Sequence, residues 1–402
     1  MTPVSRRGIP TEIRNWTRSS DLSREFLSGI SLHAHTHHSR ESLAHLPLYI
    51  ARIPVVGNLF DHEVQHQQAQ SGARIDFAKG WWHPPVSPRG VFDSEAGQIT
   101  KLGLSPIVSI TDHDSIDAGL ELQRTFSPRC SPISFEWSVP YGDGFFHLGV
   151  HNLPPASARD VFDRLEAFTE QPDVEPLADL LTDLTATGDT LVVLNHPIWD
   201  LAAVGASGHR RLLTRFLAEH GHSMHALELN GYRSWGENLQ TVALARETGH
   251  PLISGGDRHA CAANALINMS HASSFAGFVH EIKAGISTVL TMPEYREHIV
   301  GRTIASVADV LSAYRDYPEG WRHWTDRVSC QTSDGWIPLS RHWSRGGPFW
   351  LRSVMSTVRL LAWQPVRQPL ARALEWRDRV TGAPTSVAWP PPEAVRMAPL
   401  LD

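Results

Sequence analysis

Histidine and carboxylate side chains hold divalent cations, and this sequence sets them in short, regularly spaced clusters. Leu32-His-Ala-His-Thr36 puts His33 and His35 at i and i+2. At a strand end that spacing points both rings to one side, so both imidazoles can grip one ion. Gly255-Gly-Asp-Arg-His259 repeats the geometry with Asp257 and His259, and its glycines permit tight backbone near an ion. Ile110-Thr-Asp-His-Asp114 flanks His113 with two carboxylates, either of which can hold the second ring nitrogen. The same stretch also reads as a turn with Asp114 or Ser115 capping a helix. Phe135-Glu-Trp137 supplies Glu136, Phe146-His-Leu-Gly149 supplies His147, and Leu194-Asn-His-Pro197 supplies His196. A buried Glu136 would be costly alone, and a shared metal would offset that cost. Such donors suit zinc, manganese or iron. An ion so held can lower the pKa of bound water from about 16 to about 7, which would suit it to hydrolysis.

Each cluster follows a short apolar run. The runs are 29–32, 106–110, 133–135, 145–150, 191–194, 226–229 and 252–254. The intervals 156–170, 176–186, 209–220 and 237–249 carry apolar residues at helical spacing, and Gly249 suits a helix stop. Strand–helix alternation predicts a parallel α/β sheet with crossover helices. About seven such units predict a closed barrel, with its chemistry at the carboxyl ends of the strands. The interval 46–97 contains Asp61-His-Glu-Val-Gln-His66 and Trp81-Trp-His-Pro-Pro85. It reads as an insertion forming a lid or substrate wall.

The totals agree with one barrel and an extension. The chain has 402 residues, 41% of them hydrophobic, and a net charge of −6. It has no apolar run of the about 18 residues a spanning helix needs. Its first residues lack the apolar core of a secretory signal. Its three cysteines, Cys130, Cys261 and Cys330, lie far apart and form neither a disulfide framework nor a zinc motif. The expected location is cytoplasmic. Residues 1–300 carry a balance of −10, whereas 301–402 carry 13 Arg, no Lys and eight of the 14 tryptophans. A boundary near 300 follows. It gives an N-terminal segment 1–28, a catalytic barrel 29–300 and an Arg/Trp-rich, mainly helical extension 301–402.

In this order, HxHT, TDHD, a Glu, a His, an NHP histidine and GGDxH resemble the PHP (polymerase and histidinol phosphatase) family over roughly residues 29–300. The resemblance implies a distorted (β/α)7 TIM-like barrel binding two or three divalent metals. By motif position, His33 and His35 would bind one ion with Glu136 and Asp257. His113 and His259 would bind a second, and Glu136 would bridge to a third held by His147 and His196. The family also places an Asp or His shortly after HxHT. Here the stretch is His37-His-Ser-Arg-Glu41, with Arg40 where an Asp is common and Glu41 where a His is found. Glu41 can serve, with His37, His38 and His45 as fallbacks. The implied reaction is attack of a metal-bridging hydroxide on a phosphate ester. Arg258 and Arg233 are candidate phosphate clamps. Arg258 alternates away from its metal-binding neighbours and can instead pair with a carboxylate elsewhere. Glu228 and His151 have no fixed role from sequence.

In the extension, apolar residues at 351, 354, 355, 358, 361 and 362 form one helical stripe, with Arg352 and Arg359 opposite, and 370–380 reads as a second helix. The stripe suits packing on the barrel or a second subunit, or an interfacial helix on anionic membrane. The expected substrate is a small-molecule or lipid phosphoester. Nucleic acid is not expected, because the chain is acidic. An amide, carbamate or ester hydrolase is the alternative, kept open by Trp81, Trp82, Trp137, Trp199 and Trp235. A non-catalytic, metal-stabilised binding module is a further one.

Overall fold

All seven apolar runs are strands in the computed structural model, which describes residues 11–17, 21–44, 54–71, 76–127, 129–312, 314, 317–318, 320–332, 335–343, 346–381 and 395–396. One mixed sheet runs in the order β15 (Val395–Arg396), β1 (Glu12–Asn15), β12 (Thr288–Thr291), β11 (Leu266–Ser270), β2 (Ser28–Leu32) and β5 (Ser105–Ser109). A second runs β10 (Leu252–Gly255), β9 (Ala226–Asn230), β8 (Leu191–Leu194), β7 (Gly144–Leu153) and β6 (Ile133–Tyr141). β8 is buried at all four positions, as its unbroken apolar run requires between two covered faces.

The sheets are not all parallel. β2–β5, β8–β9 and β9–β10 are parallel, but β7 is antiparallel to both neighbours. The reason is local. Only Gly142 and Asp143 separate β6 from β7, and Gly142 adopts a φ of 58°. A two-residue turn reverses the chain and leaves no room for a crossover helix. Among the described residues the strands form two large sheets rather than one closed ladder. The two are pinned by bridges between Ala34 and Arg258, just past the ends of β2 and β10, and between His113, past the end of β5, and Glu136 within β6. Both pins lie within the His/carboxylate clusters.

The helices fall on the expected intervals. Trp235–Thr248 starts with a capping box between Ser234 and Glu237 and stops at Gly249, whose φ is 73°. The interval 46–97 has two parts. Helix Pro88–Thr100 is the crossover from β2 to β5 and buries Val91, Phe92 and Ile99, so it packs on the sheet rather than forming a lid. Before it come helix Pro54–Ser71 and β4 (Asp76–Trp82). Residues 46–53 and His45 lie outside the described residues.

β4 joins the interval to the extension. A third, antiparallel sheet runs β14 (Gly335–Pro338), β13 (Val328–Thr332), β4 and β3 (Glu41–Ser42). The extension therefore contributes a hairpin as well as helices Ile299–Val310, Phe349–Ala362 and Gln364–Thr381. Leu43, Phe60, Val64, Val328, Cys330 and Trp343 form the core beneath this sheet. The stripe at Leu351, Val354, Met355, Val358, Leu361 and Ala362 is the packed face of its helix, and Arg352 and Arg359 are exposed. No helix among the described residues is long and apolar enough to cross a membrane.

Candidate metal centre

Glu136 stands at the middle of the site, wholly buried on β6 where β5 is pinned to it. Its two oxygens face different histidines. Oε2 lies 3.0 Å from His33 Nε2, 3.2 Å from His113 Nε2 and 3.6 Å from His35 Nε2. Oε1 lies 3.3 Å from His147 Nδ1 and 3.2 Å from His196 Nε2, and it accepts 2.9 Å from Asn195 Nδ2. Asp257 Oδ1 completes the first side, 3.6 Å from Nε2 of both His33 and His35.

A second group lies over His35, whose ring stacks between His113 and His259 with centroids 4.7 and 4.3 Å away. Glu41 Oε2 is 3.3 Å from His113 Nε2 and 3.4 Å from His259 Nε2. Its Oε1 accepts 2.6 Å from Ser39 Oγ, which itself accepts from the His113 amide at 2.9 Å. Glu41 reaches this position from β3, outside the two large sheets.

All nine expected donors therefore converge, in overlapping groups able to hold a cation: His35, Glu41, His113 and His259; His33, His35 and Glu136; His33, His196 and Asp257; His113, Glu136 and His147. The donor set fits borderline divalent ions. His35 Nε2 and His147 Nδ1 are buried without a hydrogen-bond partner, and buried nitrogens of this kind are stabilised by an ion. Backbone strain collects at the same place. His33, Asp114, His196 and Asp257 all have positive φ, at 64°, 47°, 28° and 50°. Such conformations cost about 1–3 kcal/mol each and persist only where their surroundings hold them.

No known family's profile matches the chain, and no curated protein matches it in sequence. Solved structures resemble it weakly, these three among them. PsfC from Pseudomonas syringae is 15% identical, with a TM-score of 0.36 over 50% of this chain and 83% of its own. An amidohydrolase from Chromobacterium violaceum is 16% identical, with a TM-score of 0.33 over 58% of this chain and 89% of its own. A protein named as a metal-dependent phosphoesterase, from Bifidobacterium adolescentis, is 16% identical, with a TM-score of 0.28 over 44% and 84%. At scores this low, the chemistry of this chain has to be read from its own residues.

The electrostatics suit cation binding. Burial opposes the charge on Glu136, but His33, His113 and His147 outweigh it and hold the carboxyl well below its usual range. Asp257 and Glu41 behave alike, held low against burial by His33 and by His113 respectively. Burial pushes the His113 ring down to about 3, leaving a neutral imidazole with a lone pair to donate. His259 goes the other way: burial opposes its charge, but Glu41 lifts it to about 9. Three carboxylates facing a ring of histidines form a strongly negative pocket whenever the rings are neutral, which is the state an ion requires.

Other expected roles change. Asp112 and Asp114 do not hold His113. Asp112 accepts from Thr36 Oγ1 at 2.7 Å and from the Thr36 amide, and Asp114 accepts from Ser138 N and Oγ at 3.0 and 2.8 Å. They brace the loops carrying the ligands. His37 and His38 turn away from the centre to meet Glu121, 3.1 Å from His38 Nε2. His151 is tied to Ser109 Oγ at 2.8 Å. His62 and His66 sit exposed on one face of their helix, and no cation-holding group among the described residues includes them.

Arg258 is also redirected. Its Nη1 lies 2.9 Å from Glu95 Oε1, and both side chains are almost wholly buried. The two meet by charge and distance, and Glu95 is further fixed by Ser31 Oγ at 2.6 Å. A guanidinium neutralised there is not a phosphate clamp. Removing its partner should leave a buried charge, so Glu95→Ala is expected to cost about 3–5 kcal/mol of stability. Urea unfolding measures it, and a loss below about 1 kcal/mol, the worth of an exposed pair, would contradict the assignment. Arg233 is placed differently. Its guanidinium carbon lies 3.4 Å from the centroid of the Trp199 ring, and it lines a cleft with His196, Ile198, Trp199 and Glu237.

Proposed function

We propose that this chain is a metal-dependent phosphoesterase of the PHP type, built on a distorted seven-stranded barrel made by β2 and β5 to β10. The observation that carries it is the single buried Glu136, one oxygen among His33, His35 and His113 and the other between His147 and His196. A carboxylate so divided serves two cation positions at once. His33, His35, Glu136 and Asp257 would hold one ion, Glu41, His113 and His259 a second, and His147 and His196 a third with Glu136. Bound ions supply a nucleophile at neutral pH and draw charge from the phosphoryl oxygens. The chain supplies the rest. Arg233, 21% exposed beside His196, would clamp a non-bridging phosphate oxygen, with Trp199 holding its planar head in place.

One observation favours an amide, carbamate or ester hydrolase instead. Trp82 lies 5.7 Å from the His259 ring and Trp199 lies 5.2 Å from the His196 ring, giving apolar walls on two sides. The test is hydrolysis of phosphomonoesters, phosphodiesters and carboxyl esters by protein reloaded with zinc, manganese or iron, with His35→Ala and Asp257→Ala alongside. Phosphoester turnover that needs metal and is lost in both variants is the expected result. Turnover of carboxyl esters alone supports the second reading. Equal residual activity in all three proteins would sink both.

A further inference from the structure

We infer that Glu228 and Asn230 are the positioning pair of this centre: β9 donates no ligand but sets the ligands that follow β2, β8 and β10. The inference rests on the metal-centre reading above.

β9 lies between β8 and β10. Glu228 and Asn230, at i and i+2, point to the same side, and each is only 1% exposed. Glu228 Oε1 lies 2.5 Å from His33 Nδ1. A carboxylate there can only accept, so it holds a proton on Nδ1. Nε2 faces Glu136 and Asp257, at 3.0 and 3.6 Å, and is the nitrogen left to an ion held among them. The other oxygen, Oε2, accepts from the His196 amide at 2.7 Å and from Asn230 Nδ2 at 3.1 Å. Asn230 Nδ2 also donates 3.1 Å to Asp257 Oδ2, leaving Oδ1 facing His33 and His35. Asn230 is itself fixed, since its Oδ1 accepts from Tyr232 N at 2.8 Å and its amide donates to Asn238 Oδ1 at 3.0 Å.

The three candidate ligands this pair touches, His33, His196 and Asp257, are three of the strained positions. Strained backbone needs an outside constraint, and two side chains of one strand supply it. Gly255 has a matching role. A Cβ there would lie 1.6 Å from Glu228 Oε1, so this glycine makes room for the carboxylate rather than for an ion. A carboxylate that fixes a ligand histidine's tautomer raises its basicity and orients its ring, and losing one costs about 10–100-fold in metal affinity or activity.

The experiment uses the full chain, Glu228→Gln and Asn230→Ala. Zinc affinity is measured against a competing chelator, and kcat and KM on the best phosphoester. Each variant is expected to bind zinc about 10–100-fold more weakly and to lose kcat with KM little changed. A role in packing alone would lower the melting temperature and leave zinc affinity unchanged. Histidine 15N NMR of zinc-loaded wild type gives a readout that needs no variant: the proton of His33 is expected on Nδ1, and a proton on Nε2 overturns the proposal. A wild type that binds zinc, with both variants binding as tightly, overturns this proposal alone. A wild type that takes up no zinc overturns the metal-centre reading and this inference with it.

Discussion

Glu136→Gln is expected to abolish metal uptake and hydrolysis together, with activity falling by more than about 10³-fold. The size follows from where the charge sits. Glu136 is wholly buried, and both its oxygens are surrounded by histidine nitrogens at 3.0–3.6 Å. One electrostatic contact to the reacting centre is worth about 10²–10³-fold in rate, and Glu136 serves two cation positions, so its loss exceeds that of a single contact. The amide keeps the shape, so Asn195 and the strand pairing of β6 remain. It removes the charge that two cation positions share, and its NH2 group turns donors toward ring nitrogens whose lone pairs should face an ion. Metal analysis and turnover on the same preparation check the result. A variant that keeps both its metal and its rate would show that Glu136 is a buried structural acid.

This result bears on how much was legible in the sequence. The strand ends were, because a ligand at a strand end follows a run of apolar residues, and that juxtaposition is local. His33, His35, His113, His196, Asp257 and His259 come from such ends, and Glu136 and His147 join them from within β6 and β7. The orientation of β7 was not recognised, because the turn at Gly142–Asp143 is too short to advertise itself beside two long apolar runs. Arg258 was only half legible. Alternation correctly turned it away from its neighbours, but its partner Glu95 lies on a crossover helix that the sequence presents as part of an insertion. Glu228 carried a signal, its i, i+2 spacing with Asn230, but no local pattern says which strand it will face. The strain at His33, His196 and Asp257 has no sequence signature, since none is a glycine.

Glu41 is where sequence and fold diverge most. Glu41→Ala is expected to remove one ion of the set and to lower kcat by about 10²–10³-fold, the loss typical of one electrostatic contact to the reacting centre. Metal bound at His33, His35, Glu136 and Asp257 should remain, because of those four Glu41 approaches only His35, and at its Nδ1 rather than the Nε2 that faces Glu136 and Asp257. The family pattern places a ligand after HxHT by chain continuity. Here the ligand arrives by sheet pairing instead: Glu41 pairs with Trp82 of β4, and β4 pairs with β13 of the extension. A residue outside the two large sheets is thus held in register by residues near position 330, so the extension is part of the site's frame. Glu41→His should recover the lost ion, since the side chain reaches the same two rings and offers a neutral nitrogen donor that zinc accepts. Metal stoichiometry of the three proteins separates the outcomes. If Glu41→Ala keeps the full complement of metal and the full rate, the Ser39 hydrogen bond is the whole of Glu41's role and His113 and His259 hold their ion without it.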